Sequence, residues 1–252
     1  MVNNSLKSSR RGLISGIGAV GLGAALTACS ADDQGGQGGS ADPTAASTDA
    51  AATTTPPTTA TEAWDRLVEG NARWAAGEAT HPNTTPESRE ALLDTQSPWA
   101  IVFGCVDSRV APELVFDTGN GELMIVRTAG STFDELVAES VVYGPLAIGT
   151  PLVVVLGHQH CGAVTHAYEA LHADAEDDDP FDEIVEAIEP AYEAIEDTGE
   201  EETDVEAMIR ANVLLVVEDL KKQPEFADPI ANGLEIVGAY YSIETGLVER
   251  VE

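Results

Sequence analysis

Gly104-Cys105-Val106-Asp107-Ser108-Arg109 follows an apolar run, Trp99 to Phe103, with the length and composition of a buried strand. A matching stretch, Gly157-His158-Gln159-His160-Cys161-Gly162, follows a second such run, Leu152 to Leu156. Each is expected to present metal-binding side chains just past the C-terminal end of its strand. Cys105, His158 and Cys161 make a thiolate–imidazole set of the kind Zn²⁺ favours. Three protein ligands leave one coordination position for water, as catalytic zinc requires.

Spacing alone leaves the two cysteines open to other readings, either a disulfide or buried inert thiols. The three-residue step from His158 to Cys161 is a chelating one. Asp107 and Arg109 flank a turn. They read either as a cap and a surface charge or as a two-point carboxylate–guanidinium pair beside a metal. His160 reads as an exposed loop side chain or as a proton shuttle, since histidine titrates near neutrality. His166 and His172 follow on a helix, and His81 opens a loop.

Outward from the two motifs, strands alternate with helices. Glu122–Arg127 and Leu234–Ile243 read as further strands, and Leu247–Val251 as the return arm of a hairpin. Ala111–Phe116 reads as a short helix or turn. Thr132–Ile148, Gly162–His172, Pro180–Ile195 and Met208–Leu220 read as helices. In the first of these Phe133, Leu136, Val137, Ser140, Val141 and Gly144 share one face. An additional N-terminal helix starts at Thr61 as N-cap, with Trp64, Leu67, Val68 and Trp74 on its packing face. The expected fold is α/β, a mainly parallel sheet flanked by helices. In such sheets ligands bind beyond the C-terminal strand ends, where both motifs fall.

Cys-x-Asp-Ser-Arg (105–109) followed by His-x-x-Cys (158–161) resembles the β-class carbonic anhydrases. The likeness runs from about Trp64 through Glu-Gly-Asn-Ala-Arg-Trp (69–74) to Gly238-Ala-Tyr-Tyr-Ser-Ile-Glu-Thr-Gly246. The resemblance implies one Zn²⁺ per chain on Cys105, His158 and Cys161. It implies reversible hydration of CO₂ to bicarbonate and a proton by a zinc-bound hydroxide. Asp107, held by Arg109, would orient the nucleophile, and in an inactive form Asp107 would itself bind zinc. Homodimers or larger homo-oligomers are implied, with the N-terminal helix packed on a partner. Hydrolysis of CS₂ or COS on the same metal set is an alternative, as is a non-catalytic zinc protein. Many members carry a substrate-contacting glutamine in the loop corresponding to Phe116–Gly121. This chain has none there, which leaves Thr118 or a backbone N–H in its place.

The 252 residues carry 44 Asp+Glu against 12 Lys+Arg, a formal net charge of −32. Such a polyanion is excluded from phosphate-mediated nucleic-acid binding and from electrostatic adhesion to an anionic membrane. It suits high salt, where the Debye length shrinks to about 3 Å at 1 M.

Residues 1–29 read as an export signal. Ser9-Arg10-Arg11-Gly12-Leu13 resembles a twin-arginine motif, and an apolar stretch leads to Leu26-Thr27-Ala28-Cys29, which resembles a lipobox. Lipidation at Cys29 would anchor the chain to the outer face of the cell membrane. Residues 30–60, rich in Gly, Ser, Thr, Ala and Pro, form a flexible tether of roughly 30 Å. The catalytic domain is expected over 61–252. With Cys29 in the leader, the three cysteines imply no disulfide framework.

Overall fold

The computed structural model describes residues 55–173 and 179–252. The signal, Cys29, the tether up to residue 54 and the Asp177-Asp178 pair lie outside the described residues.

Ala100–Cys105 (β1) and Leu152–His158 (β3) are buried at every position. Neither face could meet water, so both strands sit at the centre of a sheet covered on two sides. Leu123–Thr128 (β2) and Glu235–Tyr241 (β4) flank them in parallel, and Val248–Val251 (β5) closes the far edge antiparallel. The order is β2-β1-β3-β4-β5. Gly104 lies opposite Leu156, so the C-terminal ends of β1 and β3 are level. Cys105 and His158 are therefore the last residues of their strands rather than residues beyond them.

One face of the sheet (Val102, Leu152, Val154, Leu156) packs on Ala63 and Leu67 of Ala60–Ala76 (α1) and on Val115 and Phe116. The short helix Pro86–Ala91 (α2) and Pro112–Val115 (α3) lie along the chain between α1 and β2. The other face (Ile101, Phe103, Val153, Val155) packs on Val141 and Val142 of Glu135–Ala147 (α4) and on Val213, Val217 and Leu220 of Glu201–Lys222 (α7). A third apolar cluster joins Gly162–His172 (α5), Asp182–Glu193 (α6) and α7 around Cys105 and Cys161. Each fully buried aliphatic side chain, such as Leu67, contributes about 1.5–3 kcal/mol. Ala227–Ala231 (α8) precedes β4. Among the described residues no helix is long and apolar enough to cross a membrane.

Three boundaries differ from expectation. Helix α1 is capped by Thr59, not Thr61: Glu62 stands at N3 and its carboxylate returns to the Thr59 N–H, completing a capping box. From Thr61 the third residue on would be Trp64, which cannot do this. On the same helix Val68 is 41% exposed, and Ala63 and Gly70 take the buried face.

Helix α4 starts at Asp134, because Ala129–Ser131 forms a 3-10 turn first. Gly144 then lies against Ile101. The contact rolls the helix so that Ala138, Val141 and Val142 face inward, while Leu136 is left 70% exposed and Ser140 faces solvent. Helix α7 begins seven residues before the expected Met208. Its acidic first turn and its terminal Lys221 and Lys222 oppose the helix dipole at both ends.

Candidate metal centre

Cys105 ends β1, His158 ends β3 and Cys161 caps the N-terminus of α5. The level strand ends bring their ligand atoms within 4.8 Å of one another, with all three residues buried. The two sulfurs are 3.8 Å apart. His158 Nδ1 is 3.0 Å from the Gln159 carbonyl. A carbonyl only accepts, so Nδ1 carries the proton and Nε2 keeps its lone pair.

That Nε2 is fully buried and has no hydrogen-bond partner. An orphaned polar atom of this kind is costly. Beside two thiols and a cavity of about 10 Å³, it fits a metal ion. The donor set is soft and borderline, suited to zinc.

Cys105 is the readier thiolate of the pair. The hydrogen bond from Cys161 pulls its thiol down, helped by the Gly130 N–H at 3.4 Å, while the same bond and burial push Cys161 up.

Asp107 and Arg109 form the two-point pair. Nε lies 3.0 Å from Oδ1 and Nη2 2.6 Å from Oδ2, and the Arg109 backbone N–H adds 2.9 Å to Oδ1. The guanidinium holds the Asp107 carboxyl down to about 2, so it is ionised at any working pH. Arg109 Nη2 also donates to the His160 carbonyl at 2.9 Å, which ties the two motif loops together. His160 has φ 53° and is exposed. Its backbone carbonyl reaches Arg109, and the residue lies at a groove lined also by Gln159, Arg210 and Tyr240. His166 bonds Asp179 at 2.6 Å and His172 stacks on Tyr168, so both are engaged elsewhere. His81 is a loop residue with φ 50°.

Two supporting residues escape a reading by motif. Arg127, on β2, donates to the carbonyls of Cys105 (2.7 Å), Asp107 (2.6 Å) and Val110 (2.8 Å), so one side chain fixes the whole first loop. Its signal was a lone charge ending an apolar strand. Gln159 accepts from the Ser242 hydroxyl and the Glu244 N–H, fastening the second loop to the β4–β5 hairpin.

Thr118 does not approach the cluster of its own chain. Its loop precedes β2, and Leu123 pairs with Ala100 at the start of β1, five residues or about 17 Å from Cys105. The Thr118 hydroxyl bonds the Glu113 carbonyl instead. Gly157 makes room for α7, since a Cβ there would lie 2.5 Å from Val213 Cγ2, and Gly162 faces open space.

The family model for carbonic anhydrase matches residues 100–248. Carbonic anhydrase 2 of Mycobacterium tuberculosis is 35% identical over 187 residues, covering 73% of this chain and 89% of that protein. The carbonic anhydrase of Mycolicibacterium smegmatis is 38% identical over 188 residues, covering 74% and 91%. One of two tetrameric β-carbonic anhydrases of Sordaria macrospora shares the fold, with a TM-score of 0.59 at 20% identity over 75% of this chain and 97% of that one. The chain belongs to the carbonic anhydrase family, in its β class. It is an enzyme of that family, and Cys105, His158 and Cys161 are a set able to hold its metal.

Proposed function

We propose that the chain catalyses reversible hydration of CO₂ to bicarbonate and a proton, with one Zn²⁺ held by Cys105, His158 and Cys161. The observation that carries this is the buried, unpartnered His158 Nε2 facing two thiols. When bound, zinc supplies a Lewis acid that makes hydroxide available near neutral pH.

The protein's own residues do the rest. His158 is fixed in one tautomer by the Gln159 carbonyl. Asp107 stays ionised and can only accept, so it orients a nucleophile's proton without taking it. Arg109 keeps the carboxylate away from the metal by occupying both its oxygens; without that grip Asp107 could complete an inactive four-ligand set. The exposed imidazole of His160 hands the released proton to buffer.

We further assign the chain to a homodimer or larger homo-oligomer. A relative of the same fold is tetrameric, and Leu136, Tyr143 and Leu146 of α4 present an uncovered apolar face. The N-terminal sequence supports export and anchorage to the outer face of the membrane through a lipidated Cys29.

The test is stopped-flow CO₂ hydration by the zinc-loaded protein in high salt between about pH 6.5 and 9. Rapid hydration lost in Cys161→Ser together with zinc is the expected result. One zinc per chain with no hydration overturns the assignment, and turnover of CS₂ or COS would replace it.

A further inference from the structure

Helix α7 turns an apolar face toward the third core cluster, through Val205, Met208 and Ile209. Among them sits Asn212, only 6% exposed. A buried amide in such surroundings is costly unless it bonds. Asn212 Nδ2 donates to the Gly130 carbonyl at 2.8 Å. On the other side of that residue the Gly130 N–H donates to Cys105 Sγ at 3.4 Å.

Gly130 has φ 62°, and a Cβ there would lie 2.8 Å from Ile188 Cδ1. Ser131 follows with φ 58°, a left-handed conformation that a non-glycine residue adopts only under constraint. The turn that aims the Gly130 N–H at sulfur is thus strained and has to be held. Asn212 holds it, and lines the same small cavity as Cys105, His158 and Cys161.

We propose that Asn212 is a positioning residue for the metal centre: by clamping the Gly130 carbonyl it points the Gly130 N–H at Cys105 Sγ and so sets how strongly that sulfur donates to the metal. The inference rests on the metal-site reading above. A donor pointed at a thiolate lowers the energy of the sulfur lone pairs and pre-orients the ligand. Residues that orient metal ligands in this way typically change metal affinity by about 10–100-fold when removed. An asparagine that only fastened a loop would leave the sulfur–metal bond as it was.

The experiment loads the full chain with Co²⁺ and follows the sulfur-to-cobalt charge-transfer band and the affinity by chelator competition. Asn212→Leu keeps size and removes the donor. The expected result is a band shifted to longer wavelength and an affinity about 10–100-fold weaker, with circular dichroism and cooperative unfolding of the metal-free chain retained. A folded Asn212→Leu with the parent band and affinity overturns the proposal.

A second measurement needs no variant. In the parent protein loaded with a spin-active cadmium isotope, the Gly130 amide proton should show coupling to the metal through the hydrogen bond, and its absence overturns the proposal equally. Failure of the parent to bind Co²⁺ or Cd²⁺ at the cluster overturns the metal-site reading itself, and this inference falls with it. That result is seen before any variant is made, and neither readout depends on CO₂ hydration.

Discussion

Arg109 holds Asp107 by both carboxylate oxygens, Nε to Oδ1 at 3.0 Å and Nη2 to Oδ2 at 2.6 Å, and the carboxylate lies two residues from Cys105 of the candidate metal cluster. The pair is partly exposed, so its worth to stability is small. Its value is geometric. Arg109→Ala should leave metal content unchanged and lower CO₂ hydration by about 10²-fold or more, the usual cost of losing a preorganised partner of the reacting group. Arg109→Lys should not restore it, because an ammonium cannot make the planar two-point grip. Stopped-flow rates beside metal analysis decide both.

A second carboxylate sets behaviour in acid. Asp204 accepts from the Thr198 hydroxyl at 2.7 Å, from the Thr198 N–H and from the Tyr168 hydroxyl, which joins α7 to α5 and to the loop before it. The Thr198 hydroxyl, first among these, lowers the Asp204 carboxyl below its usual value. A carboxylate depressed in the folded state stabilises it above the unfolded value of about 3.9 and loses that contribution as pH falls through the folded value. The stability lead of the parent over Asp204→Asn in urea titrations should therefore be full at about pH 6 and shrink below about pH 4. A lead that is constant across that range would contradict the assignment.

His160 offers two separable contributions, a carbonyl to Arg109 and an exposed imidazole. Asparagine tolerates the left-handed backbone that His160 adopts. His160→Asn should keep the first contribution and remove the second. The expected outcome is an unchanged kcat/KM with kcat lowered in dilute buffer and recovered by added imidazole. Equal kcat at all buffer concentrations would remove His160 from proton transfer.

The charge of −32 should make compaction depend on ionic strength. The melting temperature is expected to rise as KCl or NaCl is added from dilute buffer to molar concentrations. A flat or falling curve would count against adaptation to high salt.

The clustering of Cys105, His158 and Cys161 was legible because each half of the set lies within a few residues of a strand end, and an all-apolar strand declares where it stops. The sheet was legible for the same reason. What was hidden depends on register or on which way a helix rolls. Arg127 reaches Cys105, Asp107 and Val110 only because β2 lies beside β1 in that register. Asn212 meets Gly130 across 82 residues. The α4 stripe through Leu136 and Ser140 had a helical period, but Gly144 against Ile101 turned it to solvent. Thr59 rather than Thr61 caps α1, because only from Thr59 does Glu62 stand at N3 and reach back to the cap.

The 3.8 Å between the Cys105 and Cys161 sulfurs has a practical side. Two free thiols so close are also ready partners for oxidation by air or peroxide, with loss of two electrons and two protons. The bond would close a long loop and consume both sulfur ligands at once. Preparation order should therefore matter: protein loaded with zinc before exposure to air is expected to keep its capacity, whereas metal-free protein aerated first should need a reductant before it can be loaded.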